Sequence, residues 1–329
     1  MYTETQGKNI LSRALLIRLI EEEIAERYPK KPQLMRCPTH LSIGQELVPA
    51  VLGELLTNKD LAVSTHRGHA HYLGKGGDPK SMIAEIYGRA TGCAKGKGGS
   101  MHLIDTSVGF MGTTAIVGGT IPIGVGLGLS LSLQQDAGNV ACVFLGDGAT
   151  EEGVFYESVN FACIQNLPVL FICENNFYSV YSPLKVRQPK NREIYKMVEA
   201  LGCSSLKGNG NDIEETWTIL NKAVEHVRQG KGPFFVELHT FRWREHCGPF
   251  YDDNLEYRPS ELIETWLRQD PIEQTIQCLE RQGFLVAEDV SVLIEEVSQV
   301  VQEAFDFAIS SPFPEKEDAF SSEYSQPLI

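Results

Sequence analysis

Residues 140–176 read VACVFLGDGATEEGVFYESVNFACIQNLPVLFICENN and contain two apolar runs with the character of β-strands. The first run, 140–145, leads into Gly146-Asp147-Gly148, and the second, 167–173, leads into Asn175-Asn176. A helical segment lies between the runs, and the order strand, helix, strand is typical of parallel sheets. This stretch therefore predicts an α/β fold, with a mostly parallel central sheet and helices on both faces.

Polar residues at the two strand ends predict a site for a divalent metal and a diphosphate. In open α/β sheets, ligands bind beyond the carboxyl ends of the strands. The carboxylate of Asp147 and the amide oxygen of Asn176 are hard ligands that suit Mg²⁺, and a backbone carbonyl just after Asn176 could supply a third. Glycines beside Asp147 let a phosphate approach the backbone, and residues 149–151 are expected to open a helix whose amides attract anions. Each motif alone is a common turn, but their joint placement favours a functional site.

Composition restricts the class of protein. The chain has 329 residues, 42% of them hydrophobic, so it can bury a large core, and its formal net charge of -14 argues against a nucleic-acid binder. Eight cysteines without a C-x-x-C motif favour buried free thiols and a reducing compartment. The N-terminus lacks a signal-peptide core, its acidic residues 21–23 do not suit a transit peptide, and no apolar stretch could span a bilayer. We therefore expect a soluble, cytoplasmic enzyme that binds no membrane.

The rest of the pattern predicts one large α/β domain flanked by helices. We expect an N-terminal helical segment (1–30), a diphosphate-binding α/β domain (31–260), C-terminal helices packed on the same domain (261–312) and a loose tail (313–329). Further helices are predicted at 9–27, 47–56, 79–89 and 118–128, and two more within 272–310, separated near Gly283. Further strands are predicted at 61–64 and 233–238.

Two glycine-rich segments need a separate interpretation. Residues 92–99 (GCAKGKGG) are predicted to form a mobile or ligand-facing loop. The 118–128 segment is predicted to be a helix whose small residues Gly124, Gly126 and Gly128 allow another element to approach closely. That element could equally well belong to a second subunit or to the same chain.

Several separated motifs resemble one enzyme family. They are residues 66–69 (HRGH), 87–93 (YGRATGC), 95–103 (KGKGGSMHL), 116–119 (IVGG), 146–148 (GDG) and 172–176 (ICENN). In this order they resemble the α subunit of the E1 component of 2-oxoacid dehydrogenases, a family with pyruvate, acetoin and branched-chain members. The resemblance covers roughly residues 10–310. It implies the thiamine-diphosphate-binding fold, with thiamine diphosphate and Mg²⁺ as cofactors.

The resemblance also implies roles for individual residues. The side chains of Asp147 and Asn176 and the carbonyl of Tyr178 would hold Mg²⁺. The implied catalytic residues are His246, as a donor of a hydrogen bond or proton, and His40, near the substrate. The implied cofactor-binding residues are His66, Arg67, Val117, Gly146, Asp147, Gly148, Ala149, Asn176, Tyr178 and His246. The competing interpretations are an ordinary surface arginine at 67 and a solvated loop histidine at 246.

The chain departs from the family pattern on the substrate side. His66 stands where the family usually has a tyrosine. Residues 113–115 (TTA) replace a stretch that usually carries Gly and a His or Asn, and residues 244–250 (REHCGPF) replace a loop that usually reads H-G-H-S. Cys247 occupies the position of a regulatory serine, so we do not expect control by phosphorylation there. The metal-binding motif is intact, so we expect the cofactor to bind. The identity of the substrate and of the acyl acceptor is not determined by these residues.

The chemistry of the family implies a function and partners. Its members decarboxylate a 2-oxo acid and transfer the acyl group to a lipoyl acceptor, with the cofactor holding the electrons that carbon dioxide leaves behind. The Glu that activates the cofactor lies on a β subunit, so we expect an α₂β₂ heterotetramer that is inactive as α alone; a lipoyl acyltransferase is a further partner. Two alternatives remain: a carboligase or decarboxylase that works without a lipoyl partner, and a catalytically silent scaffold, against which the intact Asp147 and Asn176 pair argues.

Overall fold

A six-stranded parallel sheet runs through the computed structural model, which describes residues 1–35, 37–135 and 138–321. The strands are β1 (Leu61–Ser64), β2 (Phe110–Thr113), β3 (Ala141–Gly146), β4 (Val169–Asn175), β5 (Tyr178–Ser179), β6 (Ser182–Pro183), β7 (Ser204–Asn209) and β8 (Phe234–His239). The sheet has the order β2-β1-β3-β4-β8-β7, and every neighbouring pair in it is parallel. The short strands β5 and β6 form a separate antiparallel hairpin. The predicted α/β fold with a parallel sheet is confirmed.

The helices agree with the sequence prediction at most positions. They are α1 (Glu4–Arg27), α2 (Leu47–Leu55), α3 (His69–Gly74), α4 (Pro79–Ile86), α5 (Thr120–Leu133), α6 (Gly153–Ile164), α7 (Leu184–Arg187), α8 (Ile194–Ala200), α9 (Ile213–Arg228), α10 (Ser260–Leu267), α11 (Pro271–Arg281) and α12 (Ala287–Ser310). α1 begins earlier than predicted because Thr3 and Gln6 form a capping box. α4 ends at Ile86, three residues before the predicted end. Within the described ranges, no helix has both the length and the apolar character needed to cross a membrane.

Helices cover both faces of the sheet because its central strands are buried on both sides. Phe144 and Ile172 face a core that includes residues of α1, α2 and α9. Their sequence neighbours Val143 and Phe171 face a second core that includes residues of α5, α6 and α8. Successive side chains of a strand alternate between faces, so a strand buried on both faces is apolar throughout. This accounts for the continuous apolar runs at 140–145 and 167–173.

Two of the three glycines on α5 pack against the chain's own sheet. A Cβ at Gly124 would lie 2.3 Å from Val143 Cγ2, and a Cβ at Gly128 would lie 2.4 Å from Val169 Cγ2. These distances exclude any side chain larger than hydrogen, so both glycines serve packing within the chain. A Cβ at Gly126 would meet nothing within 4 Å. The alternative of contact with a second subunit therefore remains for Gly126 alone.

The glycine-rich segment 92–99 wraps around a buried carboxylate of the same chain. Glu85, on α4, accepts hydrogen bonds from the backbone N–H groups of Ala94 (2.8 Å), Gly96 (2.9 Å), Gly98 (2.6 Å) and Gly99 (3.1 Å). The prediction of a ligand-facing loop was wrong in this respect, because the amides that a ligand would need are already donated to Glu85.

The terminal helices pack together at one side of the sheet. α1 packs against α11 and α12, and α12 also packs against α4. The guanidinium of Arg89 lies 3.9 Å from the ring centre of Phe313, and residues 316–320 form a short 3-10 helix. Residues 322–329, the last eight of the 17 residues of the predicted loose tail, lie outside the described residues. The division into segments 1–30, 31–260, 261–312 and 313–329 stays a prediction.

Candidate active site

One cavity lies where the chain leaves the carboxyl ends of β1, β3 and β4. In the sheet register, Gly146 pairs with Glu174, so Asp147 and Asn176 emerge from adjacent strands. The cavity is lined by every residue to which the sequence analysis assigned a role: His40, His66, Arg67, Val117, Gly146, Asp147, Gly148, Ala149, Asn176, Tyr178 and His246. The structure therefore brings together residues that are up to about 200 positions apart in the sequence. It also adds lining residues that the sequence analysis missed: Gln45, His71, Glu174 and Ser179.

The acidic end of the cavity is a buried ion pair. Asp147 is 2% exposed, and its carboxylate is paired with the guanidinium of Arg187, at the end of α7. Arg187 also pairs with Glu151 and donates from Nε to the carbonyl of Ser182 at 3.0 Å. Burial raises the pKa of Asp147 above its usual value, while Arg187 acts in the opposite direction. The sequence analysis missed Arg187, because no motif connects it with Asp147.

Of the two glycines beside Asp147, Gly148 is approached closely by the chain's own hairpin, while the approach of a phosphate stays a prediction and the expected helix begins later. A Cβ at Gly148 would lie 2.8 Å from the hydroxyl of Ser179, on the β5–β6 hairpin. Residues Asp147–Glu151 form a 3-10 helix, and α6 starts only at Gly153. The prediction that 149–151 opens an α-helix was therefore wrong in detail. The amides next to Asp147 belong to a tight turn and not to the first turn of an α-helix.

The two asparagines of the 172–176 motif have different surroundings. Asn175 is buried, donates to Glu237 Oε1 at 2.7 Å and accepts from the amide of Phe177 at 3.0 Å, so its side chain supports the turn. Asn176 lines the cavity, donates to Gln45 Oε1 at 3.2 Å and accepts from the amide of Tyr178 at 3.2 Å. Its amide oxygen and the Asp147 carboxylate thus come from neighbouring strand ends, which is the arrangement that the sequence predicted.

The opposite end of the cavity holds a buried cation, Arg67, which forms no direct ion pair with any residue that the structure describes. Arg67 is 7% exposed, so the interpretation as a surface arginine is wrong. Its guanidinium donates from Nη1 to the carbonyl of Leu41 at 2.5 Å and from Nη2 to the carbonyl of His246 at 3.1 Å. Burial, and secondarily the charge of Arg242, lowers the pKa of Arg67 to about 9. A buried guanidinium bound only to neutral groups is a suitable partner for a phosphate oxygen.

Three imidazoles lie beside Arg67 and form what we call the histidine cluster: His40, His66 and His246. Their ring centres are 4.6 Å (40 to 66), 5.2 Å (40 to 246) and 5.4 Å (66 to 246) apart. Burial, followed by the charge of Arg67, lowers the pKa of His40 to about 2 and the pKa values of His66 and His246 to about 3. The cluster is therefore uncharged at neutral pH. His246 is half-buried within it and is not a solvated loop histidine.

The hydrogen bond between Arg67 and His246 determines which ring nitrogen carries the proton. Arg67 Nη2 lies 3.4 Å from His246 Nδ1. A guanidinium can only donate, so Nδ1 accepts and the proton of the neutral ring is on Nε2. His246 can therefore offer a hydrogen-bond donor to a ligand in the cavity. His40 Nδ1, by contrast, is buried and has no hydrogen-bond partner.

The unusual loop 244–250 is fastened to the first helix. Arg244 forms an ion pair with Glu22 of α1, donates to the carbonyl of Pro249 at 2.9 Å and lies 4.2 Å from the ring centre of Tyr251. The amide of Gly248 donates to the carbonyl of Thr39, next to His40, at 2.8 Å. These contacts fix the backbone on both sides of His246. The residues that depart from the family pattern thus hold the loop in place.

A histidine–glutamate pair also lines the cavity and was not anticipated. His71 Nε2 lies 3.0 Å from Glu174 Oε2, and its Nδ1 lies 2.6 Å from the hydroxyl of Ser64. Glu174 Oε1 is buried without a partner. The sequence signal was present, since Glu174 directly precedes the asparagine pair and His71 follows the 66–69 motif, but neither residue carried an expected role.

Comparison with known proteins agrees with this geometry. The sequence profile of the family described as "Dehydrogenase E1 component" matches residues 12–317. The chain is 36% identical to the pyruvate dehydrogenase E1 component subunit alpha of Rickettsia bellii (strain RML369-C), over 94% of this chain and 93% of the relative. It is 34% identical to the protein of that name from Porphyra purpurea (91% and 87% covered), and 31% identical to the chloroplastic subunit alpha-3 of Oryza sativa subsp. japonica (99% and 77% covered). The chain therefore belongs to the dehydrogenase E1 component family, as an E1 subunit of α type.

Proposed function

We propose that this chain is the α-type subunit of a thiamine-diphosphate-dependent enzyme that decarboxylates a 2-oxo acid and transfers the acyl group to a lipoyl acceptor. The observation that carries the proposal is one cavity with buried groups of opposite charge at its two ends. The carboxylate of Asp147 lies at one end, and the guanidinium of Arg67 lies at the other. Magnesium diphosphate carries charges of both signs and needs partners of both kinds. The names of the relatives support the same assignment.

The residues present fit a magnesium-bound diphosphate. Asp147 and Asn176 would hold the metal by their side chains and Tyr178 by its carbonyl, since all three offer oxygen to a hard cation. Arg67 would pair with a phosphate oxygen, and the backbone of 146–149 lies close enough to the cavity to contact the diphosphate. Thiamine diphosphate, when bound, supplies the electron sink for decarboxylation. Arg187 pairs with Oδ2 of Asp147, so Oδ1 is the oxygen that would accept the metal.

Other lining residues would orient the reactants. Val117, at the rim, would contact the aminopyrimidine ring, and His66 borders the same space as the predicted cofactor-binding residues. The Nε2 proton of His246 can be donated to an oxygen that develops negative charge. His40 lies within the same cluster and would contact the substrate. The apolar cores on both faces of the sheet support the strand ends after which Asp147 and Asn176 follow.

The proposal includes a β-type subunit in an α₂β₂ assembly. Large apolar side chains are exposed around the cavity rim and on two adjacent helices: Ile116 and Val117, Ile123 and Leu133 of α5, and Phe161 and Ile164 of α6. Apolar surfaces of this kind mark sites of association. A partner on this side would also cover Ile116 and Val117, and so close the rim of the cavity.

The proposal is tested by calorimetric titration of thiamine diphosphate into the purified α/β assembly, with and without Mg²⁺. Asp147→Ala should abolish the Mg²⁺-dependent binding while leaving the circular dichroism spectrum unchanged. Glu225→Ala, at an exposed position of α9, is the matched control and should bind like the wild type. Near-normal cofactor affinity in Asp147→Ala would contradict the site assignment. Absence of binding in the wild-type assembly would favour the catalytically silent scaffold.

A second function is favoured by the loop 244–250. Because Arg244 and Glu245 occupy positions where the family carries His and Gly, the surface that would meet a lipoyl acceptor is altered. A carboligase or decarboxylase that works without a lipoyl partner would keep the cofactor site and change this surface. Measuring acyl transfer to a free lipoyl domain against carboligation with aldehydes separates the two functions.

A further inference from the structure

We propose that Arg187 determines which metal ion the site accepts. By holding one oxygen of the Asp147 carboxylate, Arg187 leaves a single oxygen for the metal and so favours Mg²⁺ over Ca²⁺. The inference rests on the proposed function, which puts a divalent metal at Asp147, and it specifies the metal selectivity of that site. Arg187 does not touch the metal; it acts through Asp147 and is a positioning residue.

The guanidinium of Arg187 is enclosed and uses all three of its nitrogens. Its Nη2 donates to Oδ2 of Asp147, and its Nη1 donates to Oε1 of Glu151. Its Nε donates to the carbonyl of Ser182 at 3.0 Å. The side chain is 10% exposed. The contacts with Glu151 and Ser182 therefore hold the guanidinium beside Asp147 independently of the bond to Asp147 itself.

A second carboxylate allows Arg187 to stay when a metal binds. A metal on Asp147 repels the neighbouring guanidinium, and Asp147 alone would then be shared between two cations. Glu151 forms its own ion pair with Arg187, and Nε2 of Gln188 donates to the same oxygen of Glu151 at 3.1 Å. Two carboxylates outweigh one guanidinium, so this end of the cavity still attracts a cation while Arg187 is in place.

The two metals differ in what they need from a carboxylate. Mg²⁺ requires an octahedron of oxygens at about 2.0–2.1 Å, whereas Ca²⁺ takes six to eight oxygens at about 2.3–2.6 Å and often binds both oxygens of one carboxylate. A metal bound to both oxygens of Asp147 would lie against the guanidinium on Oδ2. Arg187 therefore restricts Asp147 to binding through Oδ1. This restriction removes a ligand from Ca²⁺ and costs Mg²⁺ nothing.

Arg187 also links Asp147 to the hairpin that carries another expected ligand. Ser182 on β6 pairs with Ser179 on β5, and Tyr178, whose carbonyl would hold the metal, directly precedes Ser179. Exchange of Mg²⁺ for Ca²⁺ requires each ligand to lie about 0.3–0.5 Å farther from the metal. The link from Asp147 through Arg187 to the hairpin resists this separation. The size of the site therefore favours the same metal as the number of available oxygens.

The test is calorimetric titration of thiamine diphosphate into the complete, metal-free α/β assembly in the presence of saturating Mg²⁺ or Ca²⁺. The ratio of the Kd with Ca²⁺ to the Kd with Mg²⁺ measures selectivity and requires no turnover. In Arg187→Met this ratio should fall about tenfold, which is the lower end of the effect that partners of a metal ligand have on metal affinity. Binding with Ca²⁺ should improve more than binding with Mg²⁺, because both oxygens of Asp147 become available. Arg192→Met, at an exposed position, is the control and should keep the wild-type ratio.

Two results in Arg187→Met would overturn the inference. Loss of affinity by the same factor with both metals would mean that Arg187 only supports the fold. Unchanged affinity with both metals would mean that the guanidinium leaves Asp147 when the metal binds. Absence of thiamine diphosphate binding by the wild type with either metal would refute the proposed function and this inference with it, whereas binding with an unchanged ratio in the variant would refute the inference alone.

A second measurement uses the wild type and decides the question if Arg187→Met does not assemble. Infrared difference spectra of the assembly, labelled with ¹³C at its aspartate carboxylates, separate one-oxygen from two-oxygen coordination, because the spacing of the two carboxylate stretching bands differs between them. We expect one-oxygen coordination with Mg²⁺ and with Ca²⁺. An aspartate that binds through both oxygens in the Ca²⁺ form would overturn the inference.

Discussion

Replacing Arg187 with methionine should reveal how strongly the acidic end of the cavity depends on one cation. Asp147 is 2% exposed, and the paired side chain of Arg187 is 10% exposed. Removing one partner of a buried pair leaves an uncompensated charge and typically costs about 3–5 kcal/mol. Because Arg187 keeps some contact with water, we expect the lower end of this range, about 3 kcal/mol in the free energy of unfolding at pH 7.5.

The loss should depend on pH, and Asp147 determines the sign. Burial raises the pKa of Asp147 and Arg187 lowers it again, so this pKa is higher still in Arg187→Met. An acid whose pKa is higher in the folded than in the unfolded state destabilises the fold only while it is ionised. The penalty is therefore fully present above the folded pKa and declines as the pH falls through it. Arg187→Met should be closer to the wild type at pH 5.5 than at pH 8.

The assay is unfolding of the purified protein at both pH values, with and without Mg²⁺ and thiamine diphosphate. Arg187→Met should gain more stability from the cofactors than the wild type does, because a metal at Asp147 replaces the missing charge. In an Asp147→Asn background the same substitution should cost little, since the carboxylate is gone. Arg192→Met, at an exposed position nearby, is the control. The assignment of Arg187 as the counter-ion would be refuted by a loss of unfolding free energy that is below about 1 kcal/mol, the value of an exposed pair, and equal at both pH values.

Four further substitutions test the packing of the chain. Gly128→Ala should destabilise by about 1–3 kcal/mol through overpacking, whereas Gly126→Ala should be neutral or stabilise by up to about 1 kcal/mol; thermal unfolding compares them, and equal losses would contradict the packing of α5. Glu85→Gln should cost about 2–4 kcal/mol, because a neutral amide cannot replace a carboxylate that accepts several N–H groups; faster tryptic cleavage within 92–99 would report the released loop. Arg244→Met should speed hydrogen exchange of the Gly248 amide, and unchanged exchange would show that the ion pair with α1 does not hold the loop.

The part of the fold that could be predicted is the part whose residues are buried on both faces of the sheet. β3, β4 and β8 consist mainly of buried apolar residues, so composition alone identifies them as strands. The edge strand β7 (SSLKGN) has no buried residue and carries little apolar signal, and β2 (FMGT) at the other edge has only two apolar residues and contains a glycine. Both were missed for this reason. α9 was also missed, although Asp212 caps it and its buried face is apolar, so the sequence did contain that signal.

For the site, local motifs could be predicted and long-range charge compensation could not. Asp147 and Asn176 follow adjacent strands of one unit, so their proximity follows from the parallel order. The pairing of Asp147 with Arg187 depends on how the β5–β6 hairpin folds back towards Asp147. The periodicity of apolar residues in the sequence does not encode the path of this hairpin. His246 and Arg67 were each assigned a role from the resemblance. Their contact joins loops 179 positions apart, and the low pKa values of the cluster follow from burial that only the packed chain creates.

Two charged side chains at opposite ends of the cavity have different surroundings, and this has a consequence for how a ligand binds. Arg187 pairs with one carboxylate oxygen of Asp147, Oδ2, so a metal on the other oxygen would bind next to a guanidinium, which offsets part of its electrostatic gain. Among the described residues Arg67 forms no direct ion pair, although Glu174 in the same cavity partly offsets its charge, so an anion that reaches it can form a charge-assisted hydrogen bond. A metal ion alone should therefore gain little from this site, and an anion alone should gain more. The pair of them gains most, because the anion meets Arg67 while its charge offsets the repulsion between the metal and Arg187.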